Sequence, residues 1–309
     1  MNYHNNNSKK CIFLAWAHSK SEPNFGDELG PYILHEITGM GIVYIPAFNN
    51  RLHLLMSIIK RLITLKLTEA YNFSKLFLGK SYYIFLGSII QFYKLDGGIV
   101  YGAGLIDDNY TTGKHKYYAV RGPRTIALLE NKGYSVPEVF GDPALILSKI
   151  YNKKVVVKNK IGVIPHIIHY DDLLCHTIHD EMVLVDLKTA DIELVIDTIR
   201  SCDCIVSSSL HGLIVAHSYG IPALWVNLSD KKLMGNNVKF YDYFESVNIP
   251  IYDEIPFDLD NLSNLETITG LFNDFGKHST LNLENLNIVI EKFINNAPPL
   301  LKKSFTTIN

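Results

Sequence analysis

The chain has 309 residues, of which 47% are hydrophobic and 19% are charged, and its net charge is −2 at pH 7. This composition is typical of a globular protein that is long enough for two domains of ordinary size. Because there is no global basic field, nucleic acid is not expected as a partner, and an anionic ligand must be held by local groups. No window contains about 18 consecutive apolar residues, so a transmembrane helix is not expected.

The N-terminal segment and the cysteines favour a cytoplasmic location. Lys9 and Lys10 are not followed by the apolar segment and the small-residue cleavage site of a signal peptide. No Cys-x-x-Cys pair occurs, so we expect free thiols in a reducing cytosol rather than a zinc site or disulfides at Cys11, Cys175, Cys202 and Cys204. The sequence therefore predicts a soluble cytoplasmic protein.

Short apolar runs, each followed by a turn with glycine or proline, recur through the first half of the chain. They predict strands at residues 11–17, 41–45, 83–86, 99–101, 117–120 and 139–140. Periodic apolar residues between them predict helices at 31–38 and 124–131. This alternation of strands and helices favours α/β layering with parallel sheets.

The second half repeats the pattern, with strands predicted at 160–164, 182–186, 204–207, 223–226 and 247–249 and helices at 190–201 and 210–219. We place a linker at 148–160, a terminal helix at 281–296 and a loose tail at 300–309. The predicted architecture is two Rossmann-like domains, residues 1–157 and 158–280. A C-terminal helix and tail, residues 281–309, could pack back on the first domain.

Residues 205–222 contain the strongest indication of an anion site. An apolar strand leads into three serines, Ser207, Ser208 and Ser209. A helix then begins at Leu210, and the free N–H groups and partial positive charge of a helix N-terminus bind phosphate or carboxylate. His211 could place an acid or a base against such an anion. The alternative is a plain strand-to-helix turn with a buried histidine.

The segment 24–34 follows the first strand and opens a helix. Asp27 is predicted as its N-cap, and Gly26 allows a close approach to the backbone. Asn24 and Asp27 could form hydrogen bonds with sugar hydroxyls, and Asp27 could also act as a base. The alternative is a cap and a turn without a ligand.

Gly102 and Gly104 stand at the end of the strand predicted at 99–101. They resemble part of a dinucleotide-binding fingerprint, but the third glycine and the following helix are missing, so nicotinamide and flavin cofactors are not expected. Glycine at a strand end still marks a place where a ligand can come close.

Arg121 and Arg124 surround the start of the helix at 124–131, where cations are disfavoured and a bound anion would relieve the cost. Salt bridges to surface acids are the alternative. His166 directly follows the first strand of the second half, so we expect it to face a cleft. The histidines after it lack the spacing of a metal site, so we expect no metal and predict that His176 and His179 are solvated.

Residues 51–67 are both basic and strongly apolar. We favour a helix that is buried against the sheet and extends its lysines to solvent. The other interpretation is a helix that lies on an anionic membrane surface, with peripheral contact at the inner face of the cytoplasmic membrane.

Eight short motifs, in order over roughly residues 20–250, resemble those of the polysaccharide pyruvyl transferase family; they begin at Asn24, Gly87, Tyr101, Val120, Gly141, Gly162, Ser208 and Lys239. The resemblance implies a GT-B-like fold with the active cleft between two domains. It implies transfer of pyruvate from phosphoenolpyruvate to two sugar hydroxyls, which forms a cyclic ketal and releases phosphate, without a metal or another cofactor. The acceptor would belong to a bacterial exopolysaccharide, capsule or O-antigen repeat unit, either free or linked to a polyprenyl carrier.

With this resemblance, we assign His211 as the catalytic acid and Asp27 as the group that activates a hydroxyl. The donor-binding residues are Arg121, His166, Ser207, Ser208, Ser209 and Leu210. The acceptor-binding residues are Asn24, Gly26, Gly102 and Gly104. Many family members have arginine at the position of Ser209, so another cation must replace it here; the candidates are Arg121, Arg124, Lys231 and Lys232.

Two alternatives stay open. A glycosyltransferase that uses a nucleotide sugar could have the same architecture, because a fold does not determine a function. A glycan-binding protein without catalytic activity is the second alternative. The oligomeric state is also open.

Overall fold

Two separate parallel sheets form the framework of the computed structural model, which describes residues 10–19, 22–107 and 110–306. The first sheet has the strand order β2-β1-β3-β4-β5, and all of its neighbouring strands are parallel. Its strands are β1 (Cys11–Ala15), β2 (Gly41–Ile45), β3 (Tyr82–Ile84), β4 (Gly98–Tyr101) and β5 (Lys116–Ala119). The helices of this half are α1 (Phe25–Thr38), α2 (Arg51–Ile63), α3 (Leu67–Phe77) and α4 (Pro123–Asn131).

A short helix, α5 (Leu147–Ile150), precedes the second sheet, which has the order β7-β6-β8-β9 and is also entirely parallel. Its strands are β6 (Asn159–Ile164), β7 (Met182–Leu184), β8 (Cys202–Ser207) and β9 (Ala223–Trp225). The helices of this half are α6 (Tyr170–Leu173), α7 (Ile192–Arg200), α8 (Leu210–Ser218) and α9 (Val238–Ser246). Four helices complete the described chain: α10 (Leu265–Asp274), α11 (Gly276–Ser279), α12 (Leu283–Asn295) and α13 (Pro299–Phe305).

The strands are apolar on both faces because helices cover both sides of each sheet. In β1, the residues from Ile12 to Ala15 are all buried, and in β6 the residues from Ile161 to Ile164 are buried. Continuous apolar runs of this kind are expected in parallel sheets, whose crossover connections place helices on both faces. The predicted α/β class with two parallel sheets is confirmed, and a cavity lies between the two halves of the chain.

Several predicted elements differ from the observed ones at their ends. The helix predicted to begin at residue 31 begins at Phe25, because Asn24 rather than Asp27 is its N-cap. The strand predicted at 247–249 is wrong, since Val247 is the C-cap residue of α9. At 139–140 there is one isolated bridge, between Phe140 and Val120, instead of a strand.

The C-terminal segment is more ordered than predicted. Residues 300–305 of the predicted loose tail belong to α13, in which Leu301 and Phe305 are buried; residues 307–309 lie outside the described residues. The preceding helix, α12, lies against the first sheet: the rings of Tyr101 and Phe293 stack with centroids 4.1 Å apart. The hydroxyl of Tyr101 also donates a hydrogen bond of 2.9 Å to the carbonyl of Phe293.

The basic apolar segment 51–67 is not buried in the way that we favoured from the sequence. Only Leu54 and Ile58 of α2 are buried, and most of its other apolar side chains are exposed. Among residues 10–19, 22–107 and 110–306, no helix is long and apolar enough to cross a membrane.

Candidate active site

The site lies where the strand order reverses in each sheet. In the first sheet β1 lies between β2 and β3, and in the second β6 lies between β7 and β8. In open parallel sheets, ligands bind in the crevice outside the carboxyl ends of the strands at such a point. The loops that follow β1, β3, β6 and β8 meet around one cavity of about 200 Å³, called here the inner cavity. Its lining residues include Asn24, Asp27, Ser88, Ile89, Arg121, His166, Ser209, Leu210, His211 and Lys239.

The N-terminus of α8 opens into the inner cavity. Ser209 is its N-cap residue with an extended backbone, and no side chain caps the helix. The hydroxyl of Ser207 instead donates to the carbonyl of Ile164, at 2.8 Å, and accepts from the N–H of Ser209, at 2.9 Å. The first N–H groups of α8 are therefore left to a ligand, and the helix dipole favours an anion there.

Ser208 holds two histidines rather than facing the cavity. Its hydroxyl accepts a hydrogen bond of 2.9 Å from the backbone N–H of His166 and lies 2.8 Å from Nδ1 of His169. Nε2 of His169 lies 2.8 Å from the carbonyl of Lys231 and must donate to it, so Nδ1 accepts from Ser208. Ser207 and Ser208 thus position the loops, and only Ser209 of the three serines lines the inner cavity.

His211 lies against α1 of the first half. A Cβ atom at Gly26 would lie 2.3 Å from Nδ1 of His211, so the close approach that was predicted at Gly26 is made by this imidazole. Nε2 of His211 is buried without a hydrogen-bond partner among the described residues. Burial, followed by the charges of Lys239 and Arg121, lowers the pKa of His211 to about 3. The free protein therefore holds a neutral imidazole with one unsatisfied polar atom at the inner cavity.

His166 is the second histidine of the inner cavity. Burial lowers its pKa to about 3, and the charges of Lys239, His169 and His211 act in the same direction. It lies where the sequence placed it, directly after β6. His176 and His179, which were predicted to be solvated, are half-buried and do not line this cavity.

Arg121 reaches the inner cavity, but most of its hydrogen-bonding capacity is used within the protein. Nε donates to Asp242 of α9 at 3.0 Å, one terminal nitrogen donates to Ser88, and the other donates to the carbonyl of Leu105 at 2.9 Å. The carboxylate of Asp242 also accepts from the N–H and the hydroxyl of Thr125, at 3.0 and 2.7 Å. Arg121 and Asp242 form a buried, fully surrounded ion pair.

Two other candidates are accounted for by packing. A Cβ atom at Gly104 would lie 2.4 Å from Cζ of Arg121, so this glycine makes room for the guanidinium. Gly102 has φ +93, and a Cβ atom there would lie 2.5 Å from Cγ of Pro143. Neither glycine lines the inner cavity. Arg124 forms a partly exposed salt bridge with Glu245, at 2.9 Å.

Lys239, at the start of α9, is a candidate site residue that was not among those predicted from the sequence. Its side chain lines the inner cavity, and no carboxylate among the described residues forms a salt bridge with it. Burial, followed by the charge of Arg121, lowers the pKa of Lys239 to about 8, and the charge of Asp27 opposes this shift. An ammonium group in such a place is available to an anionic ligand.

Asp27 stands at the entrance of the inner cavity. Nδ2 of Asn24 donates a hydrogen bond of 2.9 Å to Asp27, and Oδ1 of Asn24 caps α1 by accepting from the N–H of Gly26 at 3.0 Å. Burial, followed by the charge of Glu28, raises the pKa of Asp27 to about 7. A carboxyl group with this pKa can accept or release a proton near neutral pH.

A second cavity, of about 830 Å³ and called here the outer cavity, shares six lining residues with the inner one: Ala17, Asn24, Asp27, Ile89, Phe92 and Ile167. Its walls carry aromatic side chains, with hydrogen-bonding groups between them: Trp16, His18, Tyr44, Phe92, Tyr93, Asp171 and Lys188. Its volume lies within the range of about 300–1,000 Å³ that is typical for drug-sized ligands, whereas the inner cavity is smaller than that range. The arrangement suits a small anion in the inner cavity and a larger polar ligand with apolar faces in the outer one.

A model of the polysaccharide pyruvyl transferase family matches residues 24–230 of this chain. The chain belongs to the polysaccharide pyruvyl transferase family. The family match contains Asn24, Asp27, Arg121, His166 and His211 but ends before Lys239.

Two individual proteins are also similar. The uncharacterized protein L143 of Acanthamoeba polyphaga mimivirus is 32% identical over 158 residues, which are 49% of this chain and 55% of L143. The chain thus matches about half the length of this curated relative. The solved structure of the glycosyltransferase SnogD from Streptomyces nogalater matches with 13% identity and a TM-score of 0.40, covering 97% of this chain and 99% of SnogD.

Metal ligands are not clustered in the part of the chain that the structure describes: no three His, Cys, Asp or Glu side chains are placed to hold an ion. His176 lies 3.5 Å from Asp260 at the surface, and the four cysteines are unpaired with one another. The candidate groups for binding and catalysis in this member of the pyruvyl transferase family are therefore the side chains that line the inner and outer cavities.

Proposed function

We propose that this protein transfers pyruvate from phosphoenolpyruvate to two hydroxyls of a sugar in a polysaccharide or its repeat unit. The products are a cyclic ketal and inorganic phosphate. The observation that carries the proposal is the junction of a small cationic cavity with a large aromatic one, with Asp27 lining both. This arrangement supplies one compartment for the donor, one for the acceptor, and a proton-transferring group between them.

Phosphoenolpyruvate carries a phosphate and a carboxylate, and the inner cavity offers two features for such anions. Lys239 supplies a positive charge, and the uncapped N-terminus of α8 supplies N–H donors at Leu210 and His211. Lys239 takes over the function of the arginine that many family members carry at the position of Ser209. Arg121 contributes a positive charge at the wall of the inner cavity. Its hydrogen bonds to Asp242 and Ser88 fix the position of its own side chain there.

His211 acts as the acid that protonates the methylene carbon of the donor. Burial, followed by the charges of Lys239 and Arg121, keeps its imidazole neutral in the free protein. The phosphate and carboxylate of the donor favour the imidazolium, so we expect His211 to take up a proton when the donor binds. Its transfer forms a C–H bond from the alkene electrons and leaves an oxocarbenium-like carbon at the ketal centre.

Asp27 acts as the base for the attacking hydroxyl. The sugar oxygen forms a bond with the ketal carbon while its proton passes to Asp27, whose pKa of about 7 suits this transfer. The bond between that carbon and the phosphate oxygen then breaks, and its electron pair leaves with the phosphate. The second hydroxyl closes the ring, and its proton goes to the phosphate or back to the imidazole of His211, which gave up its proton earlier.

The outer cavity holds the acceptor glycan. Trp16, Tyr44 and Phe92 present ring faces and edges that suit the apolar faces of sugar rings, and Asn24 and Asp27 reach the hydroxyls. A volume of about 830 Å³ leaves room for more than one sugar unit beside the small donor site.

The test is phosphate release that depends on both phosphoenolpyruvate and a glycan acceptor, combined with a pyruvate mass gain of the acceptor. We expect His211→Ala to lose about 10²-fold or more in turnover, which is the usual scale for removal of an acid–base group. His176→Ala is the matched control, because His176 lies outside both cavities. Wild-type phosphate release by His211→Ala would refute the assignment, and consumption of a nucleotide sugar instead would favour the glycosyltransferase.

A further inference from the structure

The α2–α3 hairpin, residues 51–77, turns its wider apolar stripe away from the protein. Only Leu54 and Ile58 of α2 face inward and are buried. The outward stripe follows the i, i+3, i+4, i+7 spacing of one helix face and consists of Leu52, Leu55, Met56, Ile59, Leu62 and Ile63, all exposed. A contiguous exposed apolar face of this kind marks a surface that contacts a partner.

Leu65 adds an independent observation at the turn between the two helices. Its φ of +56 places it in the left-handed region, which favours glycine or asparagine, and its side chain is 80% exposed. The left-handed backbone costs the same in any solvent, so a leucine here is explained by its side chain and not by the turn. An apolar environment outside the protein would accommodate that exposed side chain.

The charge of the hairpin region identifies the kind of partner. Residues 51–80 carry six Lys or Arg side chains and one Glu, a net charge of +5 in a chain whose total is −2. Lys60, Lys66 and Lys80 are exposed. A symmetric pair of copies would bring two such positive faces together, since a two-fold interface apposes the same patch. An anionic lipid surface attracts the charges and accommodates the apolar side chains.

The hairpin lies near the outer cavity, with a third cavity beside it. This third cavity, of about 550 Å³, is lined by Arg61, Lys66 and Phe73 of the hairpin region and by His18 and Tyr44. His18 and Tyr44 also line the outer cavity. His18 and Tyr44 therefore border both the third cavity, beside the hairpin, and the place assigned to the acceptor.

We propose that the α2–α3 hairpin docks on an anionic lipid bilayer, with Ile63 and Leu65 in the interface and Lys60 and Lys66 against lipid headgroups. Docking places the outer cavity at the membrane surface, where it receives a sugar that is carried on an anionic lipid. The second statement rests on the proposed function, whereas docking itself does not depend on pyruvyl transfer.

The experiment is co-sedimentation of the full chain with phosphatidylcholine vesicles, with and without phosphatidylglycerol, at low and high salt. We expect binding only to the anionic vesicles, and weaker binding at high salt because the Debye length is about 3 Å at 1 M. Lys66→Glu should weaken binding by about five-fold or more, since each basic side chain near an anionic surface contributes on that scale. Lys277→Glu, at an exposed lysine of α11, is the matched control and should bind as the wild type does.

Two substitutions test the apolar contacts. Ile63→Glu should abolish sedimentation, whereas Leu194→Glu, at an exposed leucine of α7 in the second half, should not. Leu65→Asn should raise the melting temperature, because asparagine tolerates the left-handed backbone, and should still weaken vesicle binding. This variant separates loss of binding from loss of folding.

Binding to anionic vesicles that is lost in Ile63→Glu and kept in Leu194→Glu would support the proposal. It would be overturned if the wild type stayed in the supernatant at low salt, or if Ile63→Glu bound equally well. A stable dimer in solution that Ile63→Glu dissociates would also overturn it, because the face would then belong to a second copy. The assay contains neither donor nor sugar, so its failure would leave the proposed reaction untouched.

Discussion

Gly26 and His211 touch across the two halves of the protein: a Cβ atom at Gly26 would lie 2.3 Å from Nδ1 of the imidazole. Gly26 belongs to α1 and His211 to α8. The missing side chain therefore allows the imidazole to occupy its position beside the inner cavity. The glycine acts through the placement of a proposed catalytic group, and its own backbone need not contact the ligand.

Gly26→Ala should displace His211 and lower turnover by about 10-fold or more, because small misplacements of a reacting group are costly. Gly30→Ala in the same helix is the control, since its Cβ would lie 3.6 Å from Leu86, an ordinary contact. Both substitutions favour the helix by up to about 1 kcal/mol. Phosphate release measured for the two variants tests this placement. Equal activity in both would show that the contact does not position the imidazole.

Asp27→Asn should stabilise the protein while it lowers activity. The pKa of Asp27 is raised to about 7, so the folded state holds a proton that the unfolded state loses above its ordinary pKa of about 4. This group therefore lowers the free energy of unfolding as pH rises from about 4 to 7, and the full penalty remains above pH 7. Denaturant unfolding should show a gain of at least about 1 kcal/mol at pH 8 and a smaller gain at pH 5. An equal gain at both values would contradict the shifted pKa.

Arg121→Ala should destabilise the fold and not only weaken donor binding. It leaves Asp242 buried without its cation, and the loss of one partner of a buried ion pair costs about 3–5 kcal/mol. Arg124→Ala is the control, because its partly exposed pair with Glu245 is expected to contribute less than about 1 kcal/mol. Denaturant unfolding of both variants compares the two. Similar stabilities would contradict a structural role of the buried pair between Arg121 and Asp242.

The fold was largely predictable because parallel strands are short apolar runs with turns at both ends. Those runs located β1 to β9 to within a few residues, and the strand ends located Asp27, His166 and His211 at one site. The predictions were less accurate where a single polar or apolar residue determines where a helix begins or ends. Asn24 rather than Asp27 caps α1, and the apolar spacing of Leu301 and Phe305 was the unused indication of α13.

The roles of Lys239 and Arg121 were not predictable in the same way. Both depend on α9, which begins more than a hundred residues after Arg121 along the chain. From the sequence alone, a lysine at the start of a helix is expected to be solvated. The two arginines at the start of α4, Arg121 and Arg124, instead predicted an anion site. Only the tertiary structure brings Asp242 against Arg121 and leaves Lys239 in the cavity. The one local indication was an aspartate, Asp242, within an aromatic helix face.

The most direct test of the account is calorimetric titration with phosphoenolpyruvate of the wild type, Lys239→Gln and Lys232→Gln. We predict saturable binding that Lys239→Gln weakens by about 10-fold or more, since hydrogen bonds to charged groups contribute about 1.5–3 kcal/mol. Lys232, an exposed lysine outside the cavities, should be dispensable. Wild-type affinity should also fall above pH 8, where Lys239 loses its proton. Absence of phosphoenolpyruvate binding, or equal binding by all three proteins, would contradict the inner cavity as the donor site.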